Sequence, residues 1–426
     1  MSAAERLREI RTGFQPAFWV ANFTELFERL AYYGPQAVLA IYLHEHLGLT
    51  TEQSTWLIGY YGFIVWFMPV VGGAMADRFG FRRTLAGAFF ILAIGNFLLG
   101  SLSASWMAPL REALPLFALM HLLMLVPAMG PAVVKPVVVG TTARAANENV
   151  RTLGYSIYYT VVNIGAAIGP VAASLVRTSV GVESVFLVSA GLTLAMGVVT
   201  LLFYREPDRN AEPQVASVAK ALRNLLLVLK NGRFVVFLLI FSGFWVVFWQ
   251  QYISLPIYVR TYVDPNANID RLLAVEAGTV IACTFLVNYL TRKVPAFLAI
   301  IAGVLISSLS WLVLTLGAST PYVVAALIVL ALGEVTQAPR YYEYISRLAP
   351  PGQQGLFMGY AFLPIGIGYL ISGPTAGALL HHFGEVVKQP QQMWYVVAGA
   401  GLLTTVLMIA YNRVVRPTMG VAAGQA

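Results

Sequence analysis

The chain has 426 residues, of which 58% are hydrophobic and only 11% charged, with a formal net charge of +8. Soluble domains carry about a quarter charged residues, so this composition excludes an ordinary water-soluble globule and points to a polytopic membrane protein. The single cysteine, Cys283, excludes an internal disulfide and any multi-cysteine metal site.

Apolar stretches long enough to cross a bilayer, about 20 residues each, recur along the whole chain. Six lie near 16–44, 54–76, 84–105, 114–142, 152–176 and 183–204. Six more lie near 234–260, 274–291, 295–318, 321–345, 355–380 and 392–412. The expectation is an all-α membrane protein with twelve transmembrane helices in two pseudo-symmetric six-helix bundles. Its parts are an N-terminal bundle over 1–205, a cytoplasmic linker over 206–232 and a C-terminal bundle over 233–426. Within the linker, Val218–Lys230 alternates aliphatic residues with Lys220, Arg223 and Lys230 in the manner of an amphipathic surface helix. No cleavable signal peptide is recognisable: the mixed Arg/Glu start leads into a span too long for one.

Basic residues set the orientation. Arg6, Arg8, Arg11, Arg78, Arg82, Arg83, Arg144, Arg151 and most of the later arginines fall in alternate connections, while the others hold only Arg111, Arg177, Arg260, Arg271 and Lys388. The positive-inside rule therefore puts both termini in the cytoplasm, in a bacterial inner membrane. The positive charge is a topology signal, and no nucleic-acid partner is implied.

The first helix carries the most informative residues. Glu25, Glu28, Arg29 and Tyr32 recur at i, i+3, i+4 and i+7, on one face of an otherwise apolar span. A charge at mid-bilayer costs about 2.5–3.5 kcal/mol, so three persist only if they pair and face a protein-lined cavity. That favours a proton or substrate relay over a purely structural Glu–Arg clamp. Further on, Lys135 lies within the fourth span and Glu334 within the tenth.

An internal repeat relates the halves. Gly154, Asn163 and Gly165 of the fifth span answer to Gly355, Pro364 and Gly366 of the eleventh, and Lys135 and Glu334 are separated by nearly the same interval. A lone cation and a lone anion thus occupy near-equivalent positions in opposite halves. Between the second and third spans, Gly73-Ala-Met-Ala-Asp77-Arg78-Phe-Gly80-Phe-Arg82-Arg83 resembles the cytoplasmic loop motif of the major facilitator superfamily, with one residue inserted before the basic pair. Asp77, Arg78, Arg82 and Arg83 are therefore candidates for a conformational gate at the cytoplasmic ends of the bundles.

Four blocks together resemble one branch of that superfamily, the proton-dependent oligopeptide transporters. They are Glu25-x-x-Glu28-Arg29-x-x-Tyr32-Tyr33-Gly34, Gly130-x-x-x-x-Lys135-Pro136, Tyr158-Tyr159-x-x-x-Asn163-x-Gly165, and Gly333-Glu334 through Pro339 with the following Gly355-Leu-Phe-Met-Gly359. The resemblance implies a proton-coupled symporter importing a small zwitterion of di- or tripeptide type, working as a monomer in the lipid bilayer. It implies proton coupling through Glu25, Glu28, Arg29, Lys135 and Glu334. It also implies a substrate pocket drawn from Tyr32, Tyr33, Gln36, Lys135, Tyr159, Asn163, Gln250 and Glu334. No cofactor or metal is expected, protons serving as the coupling ion.

The chain departs from that family at the outer gate. Many members carry a basic residue at the position of Gln36 and an acid on the seventh helix, where this chain has only Gln250 and Gln251. The expectation is that no salt bridge joins helices one and seven. The aromatics Trp245, Trp249, Tyr252 and Tyr262 would also suit the alternative of a proton-driven exporter of drugs or other organic ions. A non-transporting membrane sensor is a second alternative. An enzyme is not indicated, for the sequence shows no nucleophile–base set, and His381-His382 reads as interfacial.

Overall fold

The computed structural model describes residues 12–69, 75–76, 79–147, 150–207, 231–348 and 360–422. Among them the chain is helical, with no strand beyond an isolated bridge between Phe14 and Ala146. The first half comprises α1 (Pro16–Ile41), α2 (Thr51–Phe67), α3 (Phe81–Gly100), α4 (Leu116–Ala145), α5 (Arg151–Val180) and α6 (Val182–Phe203). The second comprises α7 (Gly232–Phe248), α8 (Ile269–Thr291), α9 (Ala296–Ser310), α10 (Thr320–Leu348), α11 (Leu363–Leu379) and α12 (Met393–Ala422). Among the described residues nine helical spans are long and apolar enough to cross a membrane, those of α7, α9 and α11 being prolonged by the turns that follow them to Ile253, Thr315 and Val386; α1, α2 and α8 are not among them. The amphipathic stretch expected at 218–230 lies outside the described residues.

Prolines inside α1 (Pro35), α4 (Pro127, Pro131, Pro136), α5 (Pro170), α10 (Pro339) and α11 (Pro374) do not end those helices. In an apolar surrounding a helix cannot trade its backbone bonds for water, so it bends around a missing N–H rather than unwinding. Hydroxyls follow the same rule by bonding back one turn: Thr141 donates to Val137, Thr193 to Ser189 and Ser242 to Leu238, each at 2.8–2.9 Å.

Packing repeats with the sequence. In the first half α1 packs on α5 and α6, and α3 on α4 and α6; in the second α7 packs on α11 and α12, and α9 on α10 and α12. Each partnership recurs six helices later, which is the structural form of the repeat that Gly165 and Gly366 mark.

The compact units depart from the sequence halves in one place. One unit is Met1–Tyr42 with Ile64–Arg223; the other is Leu43–Phe63 with Asn224–Ala426. The segment 43–63 precedes most of the first half in sequence, yet it falls in the second unit, where residues 52–62 approach Tyr369, Gly373 and Gly377 of α11. Gly59 and Gly373 make this possible: a Cβ on Gly59 would meet the Tyr369 carbonyl at 2.7 Å and the Gly373 Cα at 2.9 Å. A division at the linker alone therefore misses this segment, because helix-to-helix glycine contacts carry no signature of their partner.

The core of the first unit gathers Phe14, Phe18, Leu85, Phe89, Val134, Val138 and Met196. In the second unit the indoles of Trp311 and Trp394 stack at 4.7 Å, and the Trp311 N–H donates to the Val247 carbonyl at 3.1 Å.

Candidate functional site

On α1 the expected face is fully inside the first unit: Glu25, Glu28 and Arg29 have no exposed surface. The Arg29 guanidinium contacts both acids, Nε lying 3.2 Å from Glu25 and a terminal nitrogen meeting Glu28. Tyr32 lies beneath it, 5.3 Å from guanidinium carbon to ring centre. Gly165 of α5 is what lets α1 sit so deep, since a Cβ there would collide with the Arg29 Cβ. The contacts are ionic and lack the angles of aligned hydrogen bonds, so the carboxyl oxygens keep unused bonding capacity. A proton or a polar ligand could use it.

Lys135 of α4 lies within electrostatic range of Glu25, Glu28 and Arg29. Among the described residues it makes no ion pair; its ammonium lies 3.3 Å from the ring centre of Trp66 on α2. Tyr32 and Tyr33 pack edge to face at 5.1 Å. The remaining first-unit candidates are on α5, where Asn163 donates its side-chain amide to the Tyr159 carbonyl at 2.7 Å and Tyr159 is about half exposed. Asn163 thus spends its N–H on its own helix.

In the second unit, the carboxyl of Glu334 of α10 comes within hydrogen-bonding reach of that of Glu276 of α8, which is buried. Among the described residues neither has a cationic partner. A carboxylate only accepts, so one member of the pair must carry a proton for a bond between them to form. Glu276 was missed by the sequence reading, although an acid inside the span expected at 274–291 was the available signal.

Gln36 and Gln250 are both buried. Gln250 is engaged along its own helix, donating to the Val246 carbonyl at 3.1 Å and accepting from Ser254 at 2.7 Å. Its neighbour Gln251 is fully buried and neither of its polar atoms finds a hydrogen-bond partner among the described residues. Beside Gln250 in the second unit run aromatics, Trp245 of α7 stacked on Trp249 at 5.5 Å and Trp249 on Tyr369 of α11 at 4.0 Å.

Of the loop motif, Asp77 and Arg78 lie outside the described residues. Arg83 is exposed, and Arg82 donates to the Leu201 carbonyl at the end of α6. The backbone N–H groups of Phe81 and Arg82 both donate to Glu206, at 3.2 and 2.9 Å, so an acid from the start of the linker caps α3. The contacts of Arg82 described here are internal to the first unit.

The expectation of no salt bridge between the ends of helices one and seven is corrected. A π-turn, Tyr42–His46, prolongs α1, and another, Val259–Val263, follows α7. They bring Glu45 and Arg260 into a two-pronged pair within the second unit, Nε to Oε1 at 3.0 Å and NH2 to Oε2 at 2.9 Å. That bond raises the guanidinium pKa above its ordinary value, with Asp264 and Asp270 adding to it against partial burial. Along the chain Glu45 and Arg260 lie beyond Gln36 and Gln250, the positions to which the family resemblance pointed. Nearby, His381 contacts Glu385 at 2.9 Å and Glu52 at 3.3 Å. Among the described residues no group of three or more His, Cys, Asp or Glu is arranged to hold a metal ion.

A family model for the Major Facilitator Superfamily matches residues 22–333 and again 265–425. The chain belongs to this superfamily. It is thus an integral membrane transporter, not an enzyme. Among its relatives is the multidrug resistance protein MdtH of Aeromonas hydrophila, 23% identical over 343 residues that cover 80% of this chain and 82% of that protein. Another is the dipeptide and tripeptide permease B of Photorhabdus asymbiotica, 26% identical over 223 residues, 52% of this chain and 43% of the permease. Solved structures with the same fold include a POT family transporter in complex with 5-aminolevulinic acid, with a TM-score of 0.74, 18% identity and coverage of 92% and 95% of the two chains. The POT family transporter PepTSo is similar, with a TM-score of 0.75, 18% identity and coverage of 94% and 98%.

Proposed function

We propose that this transporter couples proton entry to the import of a small, peptide-like zwitterion by alternating access. The observation that carries the reading is a division of charge. The first unit holds a half-buried cation, Lys135, outside any ion pair among the described residues. The second holds two acids, Glu276 and Glu334, with no cationic partner among the described residues. A substrate carboxylate suits the former and an ammonium group the latter. Glu25 and Glu28, with bonding capacity left over beside Arg29, are the groups that take the proton on the first-unit side. Each proton moving inward gains about 2.3 kcal/mol per 100 mV, equivalent to about fiftyfold accumulation of a co-transported solute. The remaining elements of the reading are a monomer in a bacterial inner membrane with both termini cytoplasmic.

A second reading, export of organic ions by proton antiport, is favoured by the stacked aromatics Trp245, Trp249 and Tyr369 and by the long match to a multidrug resistance protein. Counterflow in proteoliposomes against a mixed set of dipeptides, tripeptides and organic cations tests the substrate class. The direction of net movement under an imposed pH gradient then separates the two. Import predicts accumulation when the outside is acid; expulsion of an organic cation under that gradient, with no dipeptide exchange, would establish the second reading instead.

A further inference from the structure

Lys135 presents a problem that the proton-coupling residues do not solve. It lies within the field of two carboxylates, and an ammonium among buried acids ordinarily falls into a tight ion pair. Here both acids are already engaged by Arg29, and the Lys135 ammonium is on the face of Trp66 at 3.3 Å. An indole is the strongest of the aromatic faces for a cation and, being uncharged, offers attraction without neutralising it. The setting of Lys135 in α4 helps, because Pro131 and Pro136 flank it and each removes one rung of the helical ladder.

We propose that Trp66 is a positioning residue. Its ring holds the Lys135 ammonium out of the Glu25–Glu28–Arg29 cluster and keeps it available to the carboxylate end of the substrate. Without the ring, Lys135 closes onto Glu28 or Glu25, the four charges neutralise one another, and the substrate loses its cation. The last step rests on the zwitterion reading above; the hold of Trp66 on Lys135 does not.

Two measurements separate those parts. The chain has five lysines, so selective 13Cε labelling gives few resonances, and Lys135→Gln assigns the one of interest. In the unliganded protein the Lys135 ε protons are expected upfield of the other four, shifted by the indole ring current, and the shift should vanish in Trp66→Leu. Binding of alanyl-alanine and of its C-terminal amide is then compared. Trp66→Leu should weaken the dipeptide about tenfold, within the range of a desolvated cation–π contact, and leave the amide within about twofold. Trp66→Phe keeps a ring with a weaker field, and should restore part of both the shift and the affinity, which also guards against a leucine variant that fails to fold. Absence of the upfield shift in the wild type overturns the proposal. So does an equal loss of affinity for both probes, which would make Trp66 a packing residue. If the shift behaves as expected but neither probe binds the wild type, the peptide reading fails while the hold on Lys135 stands.

Discussion

The first and second units solve the same problem, ionisable groups in an apolar interior, in opposite ways. In the first, Glu25 and Glu28 are held by Arg29, with Lys135 close by, so acids and bases balance. In the second, Glu276 and Glu334 have each other within hydrogen-bonding reach, with no basic partner among the described residues. A balanced cluster is stable with every member charged and is upset by removing any one. A carboxyl pair is stable only with a proton, and replacing one acid by its amide keeps a hydrogen bond. The difference predicts that loss of the shared cation costs much stability in the cluster, whereas an amide in the carboxyl pair costs little.

The largest expected effect is on transport. Glu28→Gln and Lys135→Ala should each abolish uptake driven by a pH gradient, while counterflow exchange persists at dipeptide concentrations high enough to offset the weaker binding of Lys135→Ala. Wild-type gradient-driven rates in both variants would remove this cluster from the mechanism. Next comes stability. Arg29→Gln leaves two buried carboxylates without their partner and should cost about 3–5 kcal/mol, seen as a large fall in thermal unfolding temperature in detergent. Glu276→Gln can still donate to Glu334 and should cost less than about 1.5 kcal/mol. Equal losses would show that the two regions do not differ as described.

Glu334→Gln comes third. Removing the charge while keeping the shape should weaken binding of a zwitterionic dipeptide by about 1.5–3 kcal/mol, the worth of a hydrogen bond to a charged group. An N-acetylated dipeptide, lacking the ammonium, should bind the wild type poorly and respond less. The smallest effect belongs to the Glu45–Arg260 pair. Glu45 and Arg260 are partly exposed, and such pairs are worth about 0–1 kcal/mol. Glu45→Gln should raise the labelling of a single cysteine placed at Gln53, in a Cys283→Ala background, by a few-fold at most. The exchange of Glu45→Arg with Arg260→Glu should return it toward the parent value.

Much of this was legible in the sequence because the membrane makes charge conspicuous. Glu25, Glu28, Arg29, Lys135 and Glu334 stood out as polar groups in long apolar spans, and helical spacing put the first three on one face. The repeat of Gly154 and Gly165 in Gly355 and Gly366 likewise foretold that α5 and α11 would pack alike, as they do on α1 and α7. Glu276 was obscured by its place near the polar start of α8, beside Asp270 and Arg271. Glu45 and Arg260 read as loop charges because nothing local announces a π-turn or a partner more than two hundred residues away. Nothing in the sequence singles out Trp66 from the other aromatics of an apolar span; the role proposed for it depends on where another helix places a lysine. What sequence conveys here is which residues are costly to bury, and what it leaves out is which of them meet.

The central claim is that substrate and protons move inward together through the charges of α1 and α4. It is tested most directly by reconstituting the protein in liposomes loaded with a pH-sensitive dye, at equal internal and external pH, and adding dipeptide outside. The account predicts that dipeptide addition acidifies the lumen in the wild type, and that Lys135→Ala, while still exchanging dipeptide in counterflow, leaves the lumen unchanged. Alkalinisation of the lumen on substrate entry, or dipeptide entry without any proton movement in the wild type, would contradict it.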